Sequence, residues 1–188
     1  MGRWGERVIN RRAFVRGAAL GLGLSPVLRA LSASAGVEED EAPALPDIPV
    51  WIPPNLGAGE RWVAVNLTEQ ATVAMRGQSA VHVAWATTGA DQWETPEGEF
   101  RIVRRVYNET MTSAALGIPP GPDSYHLNDV LFTQYFTNVG HALHLNYWRP
   151  ERVFGRERTS HGCVGLRFAD AELLWRHVGL GSRVVIHA

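Results

Sequence analysis

The sequence holds a single cysteine, Cys163, and no lysine; all 18 of its basic residues are arginine. One cysteine excludes an internal disulfide, and it excludes the paired-cysteine spacing of a structural zinc site. The absence of lysine removes the amine nucleophile used in Schiff-base chemistry. No His-Glu-x-x-His occurs, and the seven histidines are scattered, so no metal is expected. No run of 18 or more apolar residues is free of charges and turn formers, which excludes a stable membrane-spanning helix. Positive charge is also scarce where nucleic acid would need it. Residues 1–35 carry a net +5, which leaves the rest of the chain at −6 within a total of −1. No basic stripe survives, and nucleic acid is not an expected partner.

What is present suits one globular domain plus an export segment: 188 residues, 45% hydrophobic and 20% charged. Arg11-Arg12 lies ahead of a mildly apolar run, Gly17–Leu24, and Ala33-Ser34-Ala35 offers a small-residue cleavage site. Residues 1–35 are therefore expected to be a signal peptide, of twin-arginine type or else an ordinary secretory one. The chain is expected to act outside the cytoplasmic membrane. Residues 36–57 are acidic and then rich in proline, with Pro43, Pro46, Pro49, Pro53 and Pro54. Proline lacks a backbone N–H, so an extended tether is expected here, with a lead-in anchored by Trp51 as the other reading.

Residues 58–188 form the domain, and its patterning is mostly β. Strands are expected at 62–67, 71–75, 81–86, 99–103, 131–137, 142–147 and 183–187, separated by short turns. Phe168, Ala171, Leu174, Trp175 and Val178 recur at helical spacing, with Gly179 as a stop. Many short strands and one late helix predict a β-rich sandwich.

The segment with chemical content is Ser160-His161-Gly162-Cys163, preceded by His141 and His144. A thiol becomes a strong nucleophile when a neighbour stabilises its thiolate, and histidine can move that proton near neutral pH. A glycine beside the nucleophile permits a tight turn that aims backbone N–H groups at a developing oxyanion. These are the parts of an acyl-transfer site. The bland reading of Cys163 is a small buried hydrophobe. His141 and His144 are three apart, so on a strand they face opposite ways and only one shares the cysteine's face.

Fifteen residues separate His144 from Ser160. A histidine, that interval and Ser-His-Gly-Cys resemble the signature of the L,D-transpeptidase (YkuD-like) family. A second block agrees: Thr87-Thr88-Gly89 followed by Thr95-Pro96-Glu97-Gly98-Glu99-Phe100. Phe132–Phe136 is a third similar feature, and the resemblance covers about residues 60–188. It implies a mostly β L,D-transpeptidase sandwich with a short helix after the cysteine. Cys163 would be the nucleophile and His144 its base. Ser160, His161 and Gly162 would shape the pocket and oxyanion site, with backbone N–H groups around Gly162 and Cys163 as donors. No cofactor is implied. The implied partners are peptidoglycan stem peptides, as acyl donor and acceptor, with carbapenem-type β-lactams as inhibitors.

The implied reaction is a 3→3 cross-link made through a Cys163 thioester. The alternatives are an L,D-carboxypeptidase using the same thioester and a non-catalytic wall-binding module. Two positions depart from the family pattern. Leu145 stands where Gly usually follows the histidine, and Gly165 stands where Asn or Arg usually follows the cysteine by two. Tyr147, Trp148 and Arg167 are the candidate substrate contacts, and Arg167 is a possible stand-in for the side chain missing at 165. On this reading Gly165→Asn keeps or raises activity.

Overall fold

The computed structural model describes residues 45–188, so the expected signal peptide and residues 36–44 of the expected tether lie outside the described residues. Nine strands follow in order: β1 Arg61–Asn66, β2 Ala71–Arg76, β3 Ser79–Thr87, β4 Gly98–Arg101, β5 Arg104–Thr112, β6 His126–Tyr135, β7 Ala142–Leu145, β8 Val164–Leu166 and β9 Arg183–His187. The only α-helix among the described residues is α1, Phe168–His177, between β8 and β9. All nine strands form one sheet in the order β4-β9-β1-β2-β3-β8-β7-β6-β5. Most pairings are antiparallel; β1 with β9 and β7 with β8 are parallel. The architecture is mostly β with one short helix after the cysteine, as the patterning predicts.

The sheet curls, because residues from both of its halves enter one core. Val63 and Val65 of β1, Val184 and Ile186 of β9, Leu143 and Leu145 of β7 and Val164 and Leu166 of β8 share a single buried cluster. Period-two alternation sends these side chains inward and their neighbours to the other face. On α1, Ala171 and Leu174 enter the same core, joined by Val178 just past its end. Truncating a fully buried leucine such as Leu174 to alanine costs about 2–5 kcal/mol. Phe168, expected on the buried face, is half exposed and touches Phe132 edge-on. Arg176 lies in the last turn, where its positive charge meets the negative end of the helix dipole.

The outer face of β1, β2 and β9 is also covered. Trp62, Ala64, Val73, Met75 and Val185 form a second buried cluster, and Ile48, Trp51, Ile52 and Leu56 pack against it. From Ile48 onward the Pro-rich segment therefore lies on the domain, in the manner of the anchored lead-in. Proline removes ladder hydrogen bonds but not the apolar contacts of the residues between prolines.

Candidate active site

Two neighbouring strands position the site. β7 and β8 run parallel, with His144 opposite Gly165 and Leu143 opposite Val164. The even-numbered residues of β7, continuing to Asn146 through its N–H to the Leu166 carbonyl (2.8 Å), face away from the core. So do Cys163 and Gly165 on the β8 side, since Val164 and Leu166 are core residues. Cys163 and His144 consequently line one cleft of about 350 Å³. Asn146, Trp148, Ser160 and His161 line it too, and the opposite wall comes from Met111, Pro122–Tyr125 and Leu127 of the β5–β6 hairpin.

The turn before the cysteine is built by hydrogen bonds. The Ser160 hydroxyl donates to the Cys163 carbonyl and accepts from the Gly162 N–H (3.1 Å). Gly162 sits at φ 97°, a left-handed conformation that favours glycine, and the His141 ring presses where a Cβ would go. The Gly162 N–H is thus committed to the turn, which removes it from the oxyanion donors expected from the sequence. Thr95 ties the two signature blocks together: its hydroxyl accepts from the Gly89 N–H (2.9 Å) and donates to the Gly162 carbonyl (3.0 Å). The Thr88 carbonyl accepts from the N–H groups of Thr159 and Ser160. These bonds bring residues far apart in sequence together around the cysteine.

His144 is 3% exposed. Its Nδ1 lies 2.8 Å from the Leu145 carbonyl oxygen. A carbonyl only accepts, so Nδ1 carries the hydrogen and Nε2 keeps its lone pair. The ring stacks on Trp148 at 5.7 Å. Burial lowers the His144 pKa to about 4, against the opposing pull of the Leu145 carbonyl. Burial also pushes the Cys163 thiol up to about 11, opposed by the backbone N–H of Ala142. Its Sγ points to the Gly140 carbonyl at 3.6 Å. At neutral pH both groups are uncharged, so the cleft holds a thiol and a neutral base rather than a preformed ion pair.

The remaining candidates are placed unequally. His161 lies between Trp93 and Tyr125, with ring centroids 5.0 and 5.2 Å away, and its Nε2 has no hydrogen-bond partner among the described residues. Tyr125 is pushed up to about 12, first by burial and then by the Cys163 thiolate that forms only in alkali, so its phenol stays protonated. His141 packs behind the turn, where Thr137 Oγ1 meets its Nδ1 at 3.1 Å. Tyr147 turns away from the cleft, its hydroxyl donating to the Asn128 carbonyl at 2.7 Å. Arg167 is held by Glu151 and lies over the Phe154 ring at 4.9 Å, so it does not replace a side chain at 165.

The space that such a side chain would need is taken by Asn146. A Cβ at Gly165 would fall 2.5 Å from Asn146 Nδ2 and 2.9 Å from Asn146 Cβ. The sequence reading missed Asn146; its one signal was its place two residues after His144 on the same strand face.

A curled, mostly β domain that turns one thiol and one imidazole into a single cleft from parallel strands defines the class. The profile of the L,D-transpeptidase catalytic domain matches residues 60–186, and the chain belongs to that family. A probable L,D-transpeptidase 3 of Mycobacterium tuberculosis is 31% identical over 102 residues, which is 54% of this chain and 37% of that relative. An L,D-transpeptidase from Mycobacterium smegmatis superimposes with a TM-score of 0.63 at 23% identity, covering 69% of this chain and 59% of the other. The M. tuberculosis L,D-transpeptidase 3 structure with a faropenem-derived adduct gives 0.63 at 24%, covering 68% and 60%. The chain thus spans little more than a third of the curated relative it matches.

Proposed function

We propose that this chain is a peptidoglycan L,D-transpeptidase that works outside the cytoplasmic membrane through a Cys163 thioester. The observation that carries the reading is the cleft shared by Cys163 and His144, with the Leu145 carbonyl fixing the imidazole tautomer. His144 Nε2 takes the thiol proton as Sγ attacks the carbonyl of the third stem residue. The tetrahedral oxyanion is met by the Cys163 N–H, and the imidazolium returns the proton to the departing D-Ala amine. The resulting thioester is opened by the amine of a second stem, with His144 again accepting the proton, to give a 3→3 cross-link. Two carbon–nitrogen bonds are exchanged, and no outside energy source is required.

The test is direct. The purified domain is incubated with disaccharide-tetrapeptide and the products are weighed. Cross-linked dimer and free D-Ala are expected. Tripeptide without dimer identifies the L,D-carboxypeptidase instead. A wild-type domain that never acquires the acyl mass refutes the enzyme reading and leaves the wall-binding module. Carbapenem should add its mass to wild-type protein and not to Cys163→Ser, since a serine hydroxyl lacks the acidity of a thiol.

A further inference from the structure

Asn146 is 3% exposed, lines the cleft that holds Cys163 and His144, and has an Oδ1 with no hydrogen-bond partner among the described residues. A buried, unpaired amide oxygen costs the folded state free energy, so it is retained where a bound group satisfies it. It also occupies the volume that any side chain at Gly165 would need. Positions 146 and 165 therefore hold one side chain between them, delivered from β7 instead of β8.

We propose that Asn146 is the donor-binding residue of this site, its Oδ1 accepting an amide N–H of the acyl-donor peptide. The inference rests on the acyl-transfer reading above. Asn146 follows His144 by two on the same face, and its N–H continues the β7–β8 ladder to the Leu166 carbonyl, so a peptide lying along β7 passes the base and then this amide. A peptide group is the fitting ligand because it presents an N–H at fixed spacing, and an amide oxygen takes only donors. Gly165 is the permissive half of the arrangement: without a Cβ it leaves room for the amide.

The experiment compares wild type, Asn146→Ala, Asn146→Gly and the transposed double variant Asn146→Gly/Gly165→Asn. Acylation of Cys163 by donor tetrapeptide is followed by mass, with KM and kcat resolved, and thermal unfolding is recorded for each. Asn146→Ala should lower kcat/KM by about tenfold, chiefly through KM, because one hydrogen bond to bound peptide is lost. Its thermal midpoint should hold or rise, because an unsatisfied buried oxygen is removed. The double variant should recover most of what Asn146→Gly loses. Unchanged kcat/KM in Asn146→Ala, a midpoint that falls in step with acylation, or a double variant no faster than Asn146→Gly overturns the proposal. A wild-type domain that is never acylated refutes the enzyme reading itself, and this inference falls with it.

Discussion

His144 should set the pH response of both catalysis and stability. An ordinary histidine titrates near 6.5, whereas burial brings His144 to about 4. The neutral form is the base, so acylation by carbapenem should be flat from about pH 5 upward and fall about tenfold per unit below pH 4. The thiol, raised to about 11, adds no ionisation step between pH 5 and 9. The same shift acts on folding. Between 6.5 and about 4 the unfolded chain binds a proton at His144 and the folded chain does not, so stability falls as pH drops through that window. A displacement of this size corresponds to about 3 kcal/mol at its lower end. His141 and His177, also lowered by burial, act in the same direction. The assay is the rate of adduct mass gain from pH 3.5 to 9, alongside urea unfolding of wild type and His144→Gln. The substitution should flatten the acid slope of stability. A rate that titrates near 6.5, or an acid slope unchanged by His144→Gln, would refute the neutral-base argument.

Three further outcomes are expected. His144→Ala should lower acylation by about 10²–10⁴, and His141→Ala, which removes a ring behind the turn, by far less; rates for the two variants decide it. Gly165→Asn alone should reduce both activity and stability, the latter by about 1–3 kcal/mol of overpacking, because Asn146 already fills the space; thermal unfolding and acylation check this. Arg183, almost fully buried, binds Glu60, Glu99 and Asn55. Glu60 and Glu99 keep access to water, so Arg183→Ala should cost less than breaking a fully buried pair, about 1–3 kcal/mol in denaturant unfolding.

Strands with both faces buried were legible in the sequence. β1 and β9 alternate between two apolar clusters, so their residue types announce them. β5 did not announce itself. It is an edge strand rich in polar residues, paired only with β6, and its side chains carry little burial signal. β8 is three residues long with a central glycine, and it exists because β3 and β7 flank it. Within the site, the family resemblance, with its fifteen-residue interval before Ser160, picked out Cys163 and His144. Trp148 lines the cleft and Tyr147 does not; both lie in the turn after β7, where strand alternation no longer sorts side chains. Asn146 could not be read from spacing, because its importance depends on the clearance at Gly165 across the strand pair. Expecting Gly165→Asn to restore function followed the family pattern one position at a time; the space is shared between two.

The lead-in also bears on where this domain can be cut. The family match begins at residue 60, yet apolar packing begins at Ile48. A version trimmed to the match would bare Trp62, Ala64, Val73, Met75 and Val185 as one greasy sheet face. Such a face is an invitation to self-association, and the likeness to relatives would give no warning of it. Shortening the chain from the front should therefore be tolerated up to Ile48 and then fail abruptly in solubility, while the chemistry at the far side of the core is still intact.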